Sequence, residues 1–339
     1  EMKNMKVNEF DVDESIRPQD DFDNYVNKKW IEANPIPEDQ VRWGSFMILI
    51  DNALKRLKEL LENPSSDPEF KKVLDFYNSG LDEERINQVG INPVKPIIEK
   101  IELFSDKSKF LELIASLDRL GLNPLFQMIP EPDSDNPKEV IPYFITSGLG
   151  LPDRDYYFQE NREEIRKKYK LFISSLLKLY GVSEESAATP TDDIFSIEVQ
   201  LAEVTPQNFE RIDPEHYFHK TLFSSLQDWT PTLDWRTFFD LTIKKNVPYL
   251  STDKKEFYKR IEDLLNTLTI DQWKMYLKYR VLAKLAPYLN KEYEKAHFEF
   301  YYQVLRGQKS MQPRWKRVIS FIEGYDRMIG RLIDRKSVV

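Results

Sequence analysis

Apolar residues recur at three- and four-residue spacing along most of this 339-residue chain, and that period predicts helix after helix. Residues 1–17 are polar and acidic and read as an extended lead-in. Phe22, Tyr25, Val26 and Trp30 mark a helix over 20–32, which Asn34-Pro35-Ile36-Pro37 stops. A long helix is predicted over 45–62, ended by Asn63-Pro64-Ser65-Ser66, with shorter ones over 67–78, 94–103 and 107–120. Between 123 and 147 the period falls to about two, predicting strands over 125–129 and 140–145 joined by a turn-rich loop at 130–137. Beyond a glycine turn, helices are predicted over 162–180, closed by Gly181, and over 192–204 after a small-residue linker at 182–190. The stretch around Trp229, Pro231 and Trp235 is mixed. Four more helices are predicted over 254–267, 270–288, 290–307 and 313–335. The expected fold is therefore mainly α, a large multi-helix lobe with one small β-hairpin. In the last helix Val318, Phe321, Ile322, Tyr325, Ile329 and Leu332, extended by Trp315, form an apolar stripe expected to be exposed or covered by a second chain.

The chain changes character at residues 147–158, Ser-Gly-Leu-Gly-Leu-Pro-Asp-Arg-Asp-Tyr-Tyr-Phe. Gly148 and Gly150 permit a tight turn, and Pro152 with Asp153 suits the start of a short helix. A dinucleotide fingerprint would need a third glycine where Asp153 stands.

Net charge of −8 argues against nucleic acid, which selects a basic face. With 41% hydrophobic and 31% charged residues the composition is that of a soluble globular protein, and no apolar run approaches the roughly 18 residues of a membrane span. The absence of cysteine fits a cytosolic or bacterial periplasmic protein, and the opening at Glu1 is read as that of a mature exported chain, expected in the periplasm.

The chemistry on offer is sparse. Asp133, Asp135 and Glu139 lack the glycine and twelfth-position glutamate of an EF-hand loop, so a solvated hairpin tip is expected instead of a calcium site. His216 and His219 stand at a spacing seen on helical metal sites, with no third ligand near in sequence, and a structural role is favoured. No nucleophile motif occurs. Arg306, Lys309, Arg314, Lys316 and Arg317 form a basic cluster, read as a solvated, partner-facing helix end in preference to an anion site.

Four blocks, in order, resemble the neprilysin family, the M13 zinc metallopeptidases. They are residues 16–46 (Ile16-Arg17-Pro18-Gln19-Asp20-Asp21-Phe22, Tyr25-Val26-Asn27-Lys28-Lys29-Trp30, Ile36-Pro37 and Arg42-Trp43-Gly44-Ser45-Phe46); 147–158; Ile197-Glu198-Val199-Gln200-Leu201-Ala202; and Phe298-Glu299-Phe300-Tyr301 with Leu305, Gly307 and Pro313-Arg314-Trp315-Lys316-Arg317. The resemblance is to the N-terminal part of that family. It implies residues 1–45 at the junction with a catalytic lobe and residues 46–339 as the helical substrate-gating lobe. The family's H-E-x-x-H motif cannot be written with His216, His219 and His297, so no catalytic residue and no metal ligand are assigned here. Zinc is expected in a complementary catalytic chain, which would make the enzyme a heterodimer, and the substrates implied are short peptides. Arg42 matches the family arginine that pairs with a peptide's C-terminal carboxylate, and Phe46 the aromatic that lines the adjacent apolar pocket. Met47 and Ile50 depart from the family's aspartate and arginine, leaving an apolar run over 46–50. An inactive peptide- or protein-binding scaffold is the alternative reading.

Overall fold

The structure, a computed structural model, describes residues 12–63, 68–211, 218–243 and 247–322. The first helices are α1 (Phe22–Ala33), α2 (Ser45–Glu62), α3 (Pro68–Leu81), α4 (Glu83–Val89), α5 (Lys95–Glu102) and α6 (Phe110–Asp118). A hairpin follows, β1 (Phe126–Pro132) and β2 (Val140–Thr146), then α7 (Asp155–Phe158), α8 (Glu163–Tyr180) and α9 (Ala188–Val204). Next come β3 (His219–Leu222), α10 (Phe223–Trp229), α11 (Trp235–Thr242), β4 (Tyr249–Thr252), α12 (Lys255–Thr267) and α13 (Ile270–Leu285). The series ends with α14 (Lys291–Phe298), a π-helical segment (Glu299–Val304) and α15 (Arg314–Ile322). Among the described residues no helix is long and apolar enough to cross a membrane.

Backbone contacts divide the chain into two compact units, one of Glu1–Glu83 with Arg306–Val339 and one of Glu84–Leu305. In the first, Asp21 caps α1 by accepting the Asn24 N–H at 2.9 Å. No residue of α1 is buried, and α2 buries only Leu61. Its core is small: Leu61, Phe70, Val73 and Tyr77 close on Val318, Ile319 and Ile322. The expectation of an exposed docking stripe on the last helix is thereby corrected over its described part. Val318 and Ile322 face the core of their own unit, because α3 presents a complementary apolar stripe. Tyr325, Ile329 and Leu332 lie outside the described residues.

The second unit holds the main core and the sheet. Strand order is β1-β2-β4-β3, antiparallel except for the β2–β4 pair. The expected hairpin is present, and β3 and β4 enlarge it to four strands. Phe126 and Phe144, on one face of the hairpin, pack on Trp235, Phe238 and Tyr258 with ring centroids 5.5–6.2 Å apart. Such rings bring large buried area and favour offset or edge geometry. Trp235 donates its Nε1–H to Thr230 at 2.7 Å, so its one polar atom is satisfied. The mixed stretch of the sequence is thus two short helices that lid the sheet.

The hairpin tip is less solvated than its composition predicts. Asp133 is buried and pairs with Lys220 of β3 at 2.5 Å, while the exposed Asp135 lies 3.3 Å from the same Nζ. Lys220 holds the Asp133 carboxyl below the usual carboxylate range. These acids serve an internal cation.

Asp118, the last residue of α6, is half-buried, and burial pushes its carboxyl from 3.8 up to about 6. A raised folded-state value means that the stabilising contribution is complete below the unfolded value and is lost as pH rises through about 6. Asp118→Asn is expected to be more stable than the parent at pH 7.5 by about 1–3 kcal/mol. The gap closes near pH 4, and urea titrations at the two pH values measure both.

Candidate functional site

Arg42 lies in the segment between Pro37 and α2, and Phe46 in the first turn of that helix. Both are exposed, Phe46 to 80%. Among the described residues nothing hydrogen-bonds to or pairs with the Arg42 guanidinium. The helix splits the apolar run in two. Phe46, Leu49 and Ile50 form an outward ridge at i, i+3 and i+4, while Met47 and Ile48 are half-buried. A planar cation with no partner among the described residues thus stands four residues before the first member of an apolar ridge, a combination suited to a carboxylate carried beside a bulky side chain.

A second polar cluster lies deep in the other unit. Glu198 of α9 is fully buried, and its Oε2 accepts the hydroxyls of Tyr157 and Tyr169, each at 2.7 Å. Arg280 of α13 faces the other oxygen at 3.5 Å. The Tyr157 hydroxyl in turn accepts the N–H groups of Gly150 (3.1 Å) and Leu151 (3.2 Å). Tyr301, in the π-helical segment, donates to the Gly150 carbonyl at 2.9 Å, and Tyr276 donates to that of Gly148 at 2.8 Å. Burial pushes the Glu198 carboxyl up, against the pull of Arg280 and the two phenols. Burial and the nearby carboxylate push the Tyr157 and Tyr169 phenols well above their ordinary range, so both stay protonated donors.

The network explains the glycines. Gly148 has a φ of 89°, which side-chain-bearing residues rarely adopt, and a Cβ on Gly150 would overlap the Tyr169 hydroxyl. The turn is clamped on both sides, and its chemistry is structural. Glu198 was readable in part: an acid shares the apolar face of Ile194, Ile197, Leu201 and Ala202, and a carboxylate there demands buried donors.

Other candidates resolve plainly. His219 is exposed on a strand, so the helical spacing read for it does not arise, and His216 lies outside the described residues. In the basic cluster Arg306 and Lys309 are exposed, whereas Arg314, Lys316 and Arg317 are engaged within their own unit and are not a solvated helix end. Arg314 donates to the Gly80 carbonyl at the end of α3, Arg317 donates to that of Gln312, and Lys316 is buried in an ion pair.

The model described as peptidase family M13, in its N-terminal form, matches residues 18–337. The chain belongs to peptidase family M13. Human endothelin-converting enzyme 1 is 29% identical over 328 residues, covering 92% of this chain and 42% of that protein. Neprilysin-1 of Caenorhabditis elegans is 25% identical, covering 91% and 45%. Among solved structures, the zinc metalloprotease Zmp1 of Mycobacterium tuberculosis, in complex with an inhibitor, superposes with a TM-score of 0.88 at 25% identity over 96% of this chain and 51% of that one. PepO from Lactobacillus rhamnosis, at 18% identity and a TM-score of 0.81, shares the fold. The chain spans about half, or less, of the length of these M13 relatives.

Three of the four M13 blocks meet at Glu198: the glycine turn, the Ile-Glu-x-x-Leu-Ala helix and the Tyr301 segment. The first block carries Arg42. Zinc does not fit the described residues, which contain no group of three or more histidine, aspartate or glutamate side chains able to hold a metal ion. His297 is packed against the rings of Tyr301 and Tyr302.

Glu198→Ala orphans two buried phenols and a guanidinium and is expected to cost roughly 3–5 kcal/mol. Gly150→Ala should destabilise the same turn. Denaturant titration of both variants, with Val318→Ala as a marker for the other unit, tests whether the loss is confined to residues 84–305.

Proposed function

We propose that this chain is the substrate-gating and peptide-holding part of an M13 zinc metalloendopeptidase acting on short peptides. The zinc and the H-E-x-x-H motif belong to a catalytic portion, carried on a second chain or on further sequence. Family membership supports the reaction class, and the relatives' greater length supports a second portion. The observation that carries the binding role is the exposed Arg42, without a partner among the described residues, just ahead of the Phe46–Leu49–Ile50 ridge in the chain. The α1–α2 region also leaves Phe22, Trp30, Ile31, Ile36 and Val41 exposed, which gives residues 1–45 an apolar face for the catalytic portion.

In this reading Arg42 grips the free C-terminal carboxylate of a peptide and sets the cleavage register, while Phe46 contacts the neighbouring side chain. Ile50, with Phe46 and Leu49, makes the exposed ridge of α2 apolar, so the subsite accepts apolar residues. A catalytically inactive scaffold would use the same surface, and zinc content of the assembled protein separates the two.

A charge-assisted hydrogen bond contributes roughly 1.5–3 kcal/mol, and each 1.4 kcal/mol is about tenfold in affinity. Arg42→Ala in the assembled peptidase should therefore weaken handling of free-acid peptides about ten- to a hundredfold. C-terminally amidated peptides should lose much less, and Arg42→Lys should rescue in part. Equal losses on both peptide types, with a lower melting temperature, would show a structural arginine.

A further inference from the structure

The segment that presents Arg42 is fastened from a distant part of the sequence. The Glu38 carbonyl accepts the N–H groups of Lys309 (3.1 Å) and Ser310 (3.0 Å). Lys316, on α15, places its Nζ 2.5 Å from Asp51 Oδ1 and 3.7 Å from Asp39 Oδ2. Asp39 precedes Arg42 by three residues, and Asp51, on α2, follows it by nine. One ammonium therefore bridges the two ends of the segment that carries Arg42 and Phe46.

The bridge is shielded. The Lys316, Asp51 and Asp39 side chains are mostly buried, so solvent and salt screen this triad less than an exposed pair. Lys55 adds a second cation 2.7 Å from Asp51. Burial pushes the Asp51 carboxyl up, but Lys316 and Lys55 outweigh it and hold it below its ordinary value. Lys316 shares a helix with the core residues Val318, Ile319 and Ile322. An apolar side chain there would avoid the desolvation of a charge, and a buried ion pair can fix register where its net contribution to stability is small. The register set here is that of the Arg42 segment against α2.

We infer that Lys316 is a positioning residue, which by joining Asp39 to Asp51 fixes where Arg42 and Phe46 meet the C-terminal end of a bound peptide. The inference rests on the reading of Arg42 as a carboxylate-binding residue.

Two measurements test it. In the full peptidase, Lys316→Met, Lys316→Arg, Arg42→Ala and the Lys316→Met/Arg42→Ala double variant are compared on a quenched heptapeptide with a free C-terminus and on its amide. Lys316→Met is expected to raise KM for the free acid about tenfold with kcat little changed, a loss of ground-state binding. The amide should change by less than about twofold, Lys316→Arg should restore most of the loss, and Lys316→Met should add nothing on top of Arg42→Ala. Equal losses on both peptides, additive with Arg42→Ala, would overturn the inference, since a merely structural lysine behaves that way.

The second measurement does not depend on Arg42's role. Hydrogen exchange on the full chain should quicken in Lys316→Met at the amides of Gln40, Ile48, Lys309 and Ser310. The Asp82 amide, bonded to the Asn78 carbonyl at the end of α3, should keep its rate. Unchanged exchange at those four amides overturns the clamp. Quickened exchange together with an Arg42→Ala variant that treats acid and amide alike leaves the clamp standing and removes the carboxylate reading.

Discussion

A carboxylate in an apolar interior is tolerated only when donors converge on it, and in this chain Glu198 collects them from elements far apart in sequence. Tyr157 follows the glycine turn, Tyr169 lies on α8 and Arg280 on α13, and through Tyr157 the same network reaches the backbone of Gly150 and Leu151. Tyr279 donates to the Tyr169 hydroxyl and Tyr301 to Gly150, which brings in the π-helical segment. The Tyr157 and Tyr169 hydroxyls are buried, so removing Glu198 strands both at once and leaves the half-buried Arg280 without its carboxylate. The packing of α8 on α9 and α13, and the path of the turn between hairpin and helices, depend on this one side chain.

The two units use charge in opposite ways. Around Glu198 every strong polar group is turned inward and spent on the fold. Arg42 is exposed, with no partner among the described residues, while the side chains of Lys316, Asp51 and Asp39, whose ion pairs hold its segment, are mostly buried. An exposed guanidinium on a well-held segment combines readiness to bind with little loss of conformational freedom on binding.

Much of this was legible in the sequence because local signals decided it. The helices α2 and α8 follow from long three-four periodicity, and the hairpin from alternation flanked by turn residues. The strands β3 and β4 were not legible. His219-Lys220-Thr221-Leu222 and Tyr249-Leu250-Ser251-Thr252 are too short to show alternation, and they are strands because β2 offers β4 an edge and β4 offers one to β3. The helix predicted over 290–307 is present, and the sequence did not mark its π-helical segment at Glu299–Val304. In the π-helical segment Phe300 stacks on Phe172 and Tyr301 donates to the Gly150 carbonyl. At the site, Arg42 and Phe46 were found through resemblance, whereas the partners of Glu198 and the role of Lys316 needed coordinates, since the contacts are remote in sequence.

The parallel seam between β2 and β4 bears on how the chain reaches this fold. Tyr143 pairs with Ser251, and Asp253 receives the backbone and hydroxyl of Thr146 across a sequence separation of 107. The hairpin can close early, because its strands are neighbours. The seam cannot, since the entropy of closing so long a loop must be met before any ladder bond forms. Until α8 and α9 have packed and drawn residue 249 toward the hairpin, the free edge of β2 is an unpaired template carrying Val140, Ile141, Tyr143 and Phe144. During synthesis that edge waits for about a hundred further residues, several seconds at ribosomal speed. The stretch most open to mispairing is therefore the one that was easiest to read.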